Sequence, residues 1–106
     1  MIKKPKKIKK WYVYAIECDN NSVYIGQTFD LANRWILHCT GKGADWTKKH
    51  KPVRLFHFET VNSFIDAFHK EKEWKTSNGR RKLKKILLES DGKNIAEKFM
   101  KKGRGK

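Results

Sequence analysis

Between Trp11 and Gln27 the chain runs twice through an extended pattern, on either side of the polar cluster Asp19-Asn20-Asn21-Ser22. Trp11 to Glu17 alternates aromatic and β-branched residues, and Val23 to Gln27 resumes the pattern. Period-two spacing builds a strand with two distinct faces, and a short run of turn residues closes two such strands into a hairpin. Tyr12, Tyr14 and Ile16 then share one face. A helix follows almost at once: Asp30 reads as its N-cap, and Leu31, Ala32, Trp35, Ile36 and Cys39 form its apolar arc to about Cys39 or Thr40. Arg34 and His38 lie four apart on the edge of that arc, a spacing that lets both face one cleft.

The stretch Gly41-Lys42-Gly43-Ala44-Asp45-Trp46-Thr47 reads as a flexible basic loop, and Pro52 precedes a third strand over Val53–Val61. Asn62 or Ser63 caps a second helix extending to about Ser77. Asn78-Gly79 breaks it, and Arg80–Glu89 forms a basic amphipathic helix with Leu83, Ile86 and Leu87 inward. Residues from Asn94 to Met100 add a further helical turn or two. The order β-β-α-β-α-α predicts an α+β domain, a small, mainly antiparallel three-stranded sheet covered by helices.

At 106 residues the chain suits one domain with one modest core. It divides into a basic arm over residues 1–10, a domain over 11–90 and a basic tail over 91–106. Lys and Arg number 26 against 11 acids, a formal charge of +15 that favours a polyanionic partner without choosing a fold. Aromatic residues make up 12% of the chain, more than a disordered basic tail carries. The arm holds six lysines around Pro5 and no signal-peptide apolar region, and nowhere does an apolar run suit a membrane span. Arm and tail read as solubilising segments able to add salt-sensitive phosphate contacts. Lys42, Lys48, Lys49, Lys75, Arg80 and Arg81 are the candidate nucleic-acid contacts within the domain. Cys18 and Cys39 have no metal-ligand spacing and read as small core residues in a reducing cytoplasm.

One residue breaks the pattern. Phe64, Ala67, Phe68 and Trp74 mark a buried stripe on the second helix, and Glu71 falls near its middle. A carboxylate there is costly unless it is paired, hydrogen-bonded or bound to metal. Either Glu71 pairs with Lys75 four residues on, with Lys75 reaching back to water, or it is a functional ligand.

Together these residues resemble the GIY-YIG nuclease domain. The resemblance is carried by Tyr12-Val13-Tyr14, Tyr24-Ile25-Gly26-Gln27-Thr28, Asp30-Leu31, Arg34 with His38, Gly41-Lys42-Gly43-Ala44 with Thr47, Pro52-Val53-Arg54-Leu55, and Ala67 through Glu71 to Lys75. It covers roughly residues 11–90 and is closest to the small stand-alone bacterial members. The tripeptide Tyr24-Ile25-Gly26 alone is weak evidence, whereas several elements at compatible spacings are strong. The resemblance implies hydrolysis of DNA phosphodiesters, with Mg2+ or Mn2+ as cofactor and DNA repair as a process it serves. It implies that Tyr14, Tyr24, Arg34, His38 and Glu71 are the catalytic set, with Glu71 the metal ligand.

Such residues suit the chemistry. A guanidinium stabilises charge on phosphoryl oxygens, and a hard divalent ion takes oxygen ligands, here one carboxylate with phosphate and water. Tyrosine, with a reference pKa near ~10, is a base only when its surroundings help it. Tyr14, Tyr24 and His38 are all candidates for the proton acceptor. In three places the chain departs from the family pattern: Tyr12 stands where the family name has glycine, Gln27 replaces a basic residue of several relatives, and no asparagine falls at the late family position. Asn78 comes too soon for it and Asn94 too late. His50, His57 and His69 read as structural or exposed, and Trp46 as either a loop anchor or a base-stacking residue. The same constellation also suits a module that binds DNA or RNA with little hydrolysis, or a basic ribosome-associated protein. No separate recognition domain is evident, so a protein partner or substrate shape would supply targeting.

Overall fold

In the computed structural model, which describes residues 10–98, β1 (Trp11–Cys18) and β2 (Val23–Thr28) form the expected antiparallel hairpin. Its turn uses Asn20, Asn21 and Ser22 of the cluster. Asn20 Oδ1 accepts hydrogen bonds from the Ser22 amide and hydroxyl at 3.2 and 2.6 Å, and Asn21 takes a positive φ of 68°. Asparagine tolerates that conformation better than a branched residue does. β3 (Pro52–Val61) pairs antiparallel with the other edge of β1, giving the sheet order β2-β1-β3.

Helices cover both faces of this sheet. On one face Val13, Ala15, Ile25 and Phe56 pack against Ala67 and Trp74 of α3 (Phe64–Trp74) and Leu83 and Leu87 of α4 (Ser77–Glu89). On the other, Tyr14, Ile16, Cys18 and Leu55 pack against Leu31 and Trp35 of α1 (Leu31–Cys39) and against Ala96. The period-two alternation of β1 thus becomes two separate cores. Asp30 caps α1 by accepting from the Asn33 amide, and Ser63 caps α3 by accepting from the Asp66 amide. Asn94 Oδ1 accepts from the Leu55 amide at 3.1 Å, so packed structure continues past residue 90. Ala96–Lys98 is helical, and Phe99 and Met100 lie outside the described residues, as do the arm over residues 1–9 and the tail beyond residue 98.

Several expectations are corrected. The basic stretch holds a short helix, α2 (Asp45–Lys49), placed between α1 and β3. It forms because Thr47 is buried against α1. The second long helix stops at Trp74 rather than near Ser77, because the Thr76 hydroxyl accepts from the Gly79 amide and starts a new helix there. Asn78-Gly79 is therefore the first turn of α4. A Cβ at Gly79 would stand 2.7 Å from Trp74 Cα, so the glycine lets the two helices meet. Cys39 is exposed instead of buried, and Ile36 too faces outward. Phe64 and Phe68 are 51% and 43% exposed, leaving Ala67 and Trp74 as the buried residues of α3. The edge of the sheet explains the difference: Phe64 packs edge-on against Trp11, and Lys72 lies over the ring of Phe68.

Candidate active site

The hairpin and α1 bring four of the five expected residues to one spot. Tyr14, in the central strand, is 1% exposed, and His38 on α1 is fully buried. Tyr14 Oη and His38 Nε2 are 2.7 Å apart. Tyr24 enters from β2, its ring centroid 5.0 Å from that of His38 and 6.3 Å from that of Tyr14. Arg34, one turn before His38, donates from Nε to Tyr14 Oη at 3.4 Å and from Nη2 to the Gly43 carbonyl at 2.8 Å.

Two glycines make this convergence possible. A Cβ at Gly26 would lie 2.5 Å from Tyr14 Oη and 3.0 Å from Tyr24 Cε2, so no larger residue fits between the tyrosines as they stand. A Cβ at Gly43 would similarly lie 2.5 Å from His38 Nδ1. Thr47 completes the cluster. Its hydroxyl donates to the Ala44 carbonyl, so its oxygen accepts from His38 Nδ1–H at 2.7 Å. Nε2 then carries the lone pair and accepts from the Tyr14 hydroxyl. This role of Thr47 escaped the reading of the sequence, where a threonine in a basic stretch carries no periodic signal.

Burial governs the electrostatics. It pushes the Tyr14 phenol above its ordinary range, with the Arg34 hydrogen bond opposing the shift. Burial and then the nearby Arg34 charge lower the His38 imidazole to about 4. The Tyr14 hydrogen bond raises the Arg34 guanidinium, which stays charged. At neutral pH the core of the site is therefore a phenol bonded to a neutral imidazole beside one fixed cation.

A stability prediction follows from His38. Its folded pKa lies below the value of 6.5 expected of an unfolded chain, so its contribution is fully present above that value. The contribution is lost as pH falls toward 4, because the unfolded state takes up a proton that the folded state refuses. Across that window the loss attributable to His38 reaches about 3 kcal/mol. Urea unfolding at pH 7 and pH 4 of wild type and His38→Gln checks it: the variant's stability should fall less over the same interval. Equal falls would show that His38 is protonated in the fold.

Glu71 approaches from α3 and half-resolves the earlier alternative. Its side chain is 19% exposed, and Oε2 accepts from Lys75 Nζ at 2.6 Å, so the intrahelical pair is real. Glu71 falls between Ala67 and Trp74, the two buried residues of α3, as its spacing predicted, with Lys75 carrying the pair out to water. The Glu71 charge adds the smallest of the upward pushes on the Tyr14 phenol, which makes it the one carboxylate whose charge reaches the tyrosine cluster among the causes of that shift. Among the described residues no three His, Cys, Asp or Glu side chains gather into a metal cluster. The donor set fits a hydrated hard cation, which needs few protein ligands, better than a softer ion that takes three or four.

The expected basic contacts separate into groups. Lys75 and Arg80 line a groove that Tyr24 also lines, joined there by Lys84, which the sequence reading missed. Lys42, Lys48 and Lys49 are exposed on and before α2. Arg81 is exposed and donates to Asn78 Oδ1 at 3.1 Å. Asn94 is taken up in tying Leu55 and Ala96 together, so it supplies no late active-site amide.

Comparison with known proteins bears on the family of the chain. Residues 10–85 match the GIY-YIG catalytic domain. A UPF0213 protein of Staphylococcus haemolyticus is 42% identical over 77 residues, covering 73% of this chain and 94% of its own. One from Pediococcus pentosaceus is 36% identical, covering 73% and 81%. The solution NMR structure of a UPF0213 protein from Bacillus halodurans is 34% identical, covering 76% of this chain and 86% of its own, with a TM-score of 0.46. With its paired tyrosines spaced by Gly26 and the helix arginine beside them, the chain belongs to the GIY-YIG family.

Proposed function

We propose that the protein is a metal-dependent endonuclease that hydrolyses DNA phosphodiester bonds, with structure-selective cleavage as its mode. The observation that carries this reading is the hydrogen-bonded series Tyr14–His38–Thr47, held beside Arg34. A core needing only to be filled would not bury a neutral imidazole with both nitrogens engaged next to a guanidinium.

The residues divide the work. A scissile phosphate beside Tyr24 and Arg34 meets a phenol that donates a hydrogen bond and a guanidinium that offsets charge on the phosphoryl oxygens. The attacking water gives its proton to Tyr14 Oη as the Tyr14 proton passes to His38 Nε2. The new P–O bond forms while the bond to the leaving oxygen breaks, and His38 ends as imidazolium. This route avoids a buried tyrosinate, which the raised Tyr14 pKa makes costly. The negative phosphate favours protonated His38, opposing the burial and Arg34 charge that depress it. Glu71 would hold Mg2+ or Mn2+, swinging away from Lys75, which is itself 48% exposed. Such an ion, when bound, neutralises phosphate charge and stabilises the leaving oxygen.

Both cysteines are free thiols, which suits a reducing cytoplasm, and no helix among the described residues is long and apolar enough to cross a membrane. The second reading, a module that binds DNA or RNA without cutting, is favoured by one observation: Lys75 already neutralises Glu71. A cleavage screen decides between them. Duplex, single-stranded, flap and junction DNA are incubated with Mg2+, Mn2+ or EDTA. Cleavage of at least one substrate with metal, and none in EDTA, is expected. Tight binding with no cleavage of any substrate under either metal would leave the binding module.

A further inference from the structure

Beside the tyrosine cluster runs a groove of about 530 Å³, and its chemistry is that of a nucleotide rather than of phosphate alone. That volume falls within the range of about 300–1,000 Å³ of pockets that enclose a small organic molecule. Val23, Ile25 and Leu83 line it with apolar surface, while Lys75, Arg80 and Lys84 supply three cations and no lining residue is acidic. Trp46 closes one side. Its indole is 43% exposed yet held in place, donating from Nε1 to Ser22 Oγ at 3.0 Å and lying against the His50 ring, tilted 49° to it with centroids 4.4 Å apart. A large ring fixed at an open groove offers a flat surface at small entropic cost to a ligand.

We infer that this groove is a nucleobase subsite: an unpaired base of the nucleic-acid strand stacks on Trp46 while Arg80 and Lys84 bind the flanking phosphates. Charge complementarity selects the occupant. An acidic peptide would match the lysines but leave the indole and the Leu83 surface without a partner, whereas a nucleotide offers both a π-face and an anion. Tyr24 and Lys75 line the groove and also belong to, or pair within, the candidate active site, so the stacked base would adjoin the scissile phosphate. Bases paired in a duplex cannot enter, which makes the groove a selector for unpaired positions. The inference rests on the hydrolytic reading only for that adjacency. Base capture itself needs no cleavage.

The test is a binding measurement on the full chain in EDTA, where hydrolysis plays no part. Fluorescein-labelled oligothymidylate and an abasic strand of equal length present the same phosphates with and without bases. Wild type should bind the thymidylate strand about tenfold more tightly, the size of one base–aromatic stack. Trp46→Ala should erase that preference, and Trp46→Phe, which keeps a ring but loses the Ser22 hydrogen bond, should restore most of it. The double change Arg80→Ala with Lys84→Ala should weaken both strands alike and flatten the salt dependence. Equal wild-type affinity for the two strands, or an unchanged preference in Trp46→Ala, overturns the subsite. A protein that cleaves DNA with metal yet shows no base preference refutes the subsite alone. A protein that prefers bases but never cleaves refutes the nuclease reading alone.

Discussion

Glu71→Ala should reduce Mg2+- or Mn2+-dependent nicking to background while leaving DNA affinity in EDTA within about twofold of wild type. The side chain is the carboxylate of α3 whose charge reaches Tyr14, and its partner Lys75 stands half in solvent. If the pair were only structural, its loss would cost little, since an exposed i,i+4 ion pair contributes about 0.3–0.5 kcal/mol. A change of that size leaves the fold intact and cannot silence an enzyme. Loss of metal-dependent cleavage with an unaltered melting curve therefore assigns Glu71 to the ion. Glu71→Gln sharpens the comparison, because it keeps shape and a hydrogen-bond acceptor but removes the charge a divalent cation requires. Plasmid nicking titrated with each metal, beside anisotropy of a labelled duplex, supplies both readouts. Nicking by Glu71→Ala at wild-type rate and wild-type metal dependence would return Glu71 to its pair with Lys75.

What could be read from the sequence was whatever has a period or a cap. Period two in Trp11–Cys18 anticipated that Tyr14 and Ile16 share a core face, and Asp30 marked the start of α1 so that Arg34 and His38 fell on one side. The failures have a common cause, contacts between residues distant in the chain. Phe64 has the spacing of a buried residue, but whether it is covered depends on where the sheet ends, and there it packs edge-on against Trp11 and stays half exposed. The helix Asp45–Lys49 looks like a polar loop because what orders it is Thr47 bonded to His38, not a run of apolar residues. The break between α3 and α4 was expected at Asn78-Gly79 on composition, whereas the Thr76 cap puts it earlier. The groove beside Tyr24 joins Trp46 to Leu83 and Lys84 from α4, and no local pattern links them. Glu71 lies between these cases: its oddity was visible in the sequence, and its charge acting on Tyr14 was not.

Arg34→Ala should lower turnover about 100- to 1,000-fold and weaken DNA binding far less, the scale seen when one donor to a developing oxyanion is removed. The guanidinium is already positioned before any substrate arrives. Nη2 is anchored on the Gly43 carbonyl at 2.8 Å, and Nε reaches Tyr14 Oη over a longer 3.4 Å. The same guanidinium also interacts with Tyr24, so a phosphoryl oxygen beside that tyrosine meets an anchored cation, and anchoring means little reorganisation as charge builds there. A residue that merely held the phosphate in place would contribute equally before and during bond breaking, so its removal would raise KM and spare kcat. Arg34→Lys discriminates further. It preserves the charge but cannot hold the Gly43 carbonyl and a phosphate oxygen with one rigid fork, so it should recover binding and little of kcat. Single-turnover cleavage at saturating enzyme, set against affinity in EDTA, separates the two quantities. A loss of affinity with the saturating rate intact would make Arg34 a positioning cation, and the charge of the transition state would then have to be met elsewhere in the site.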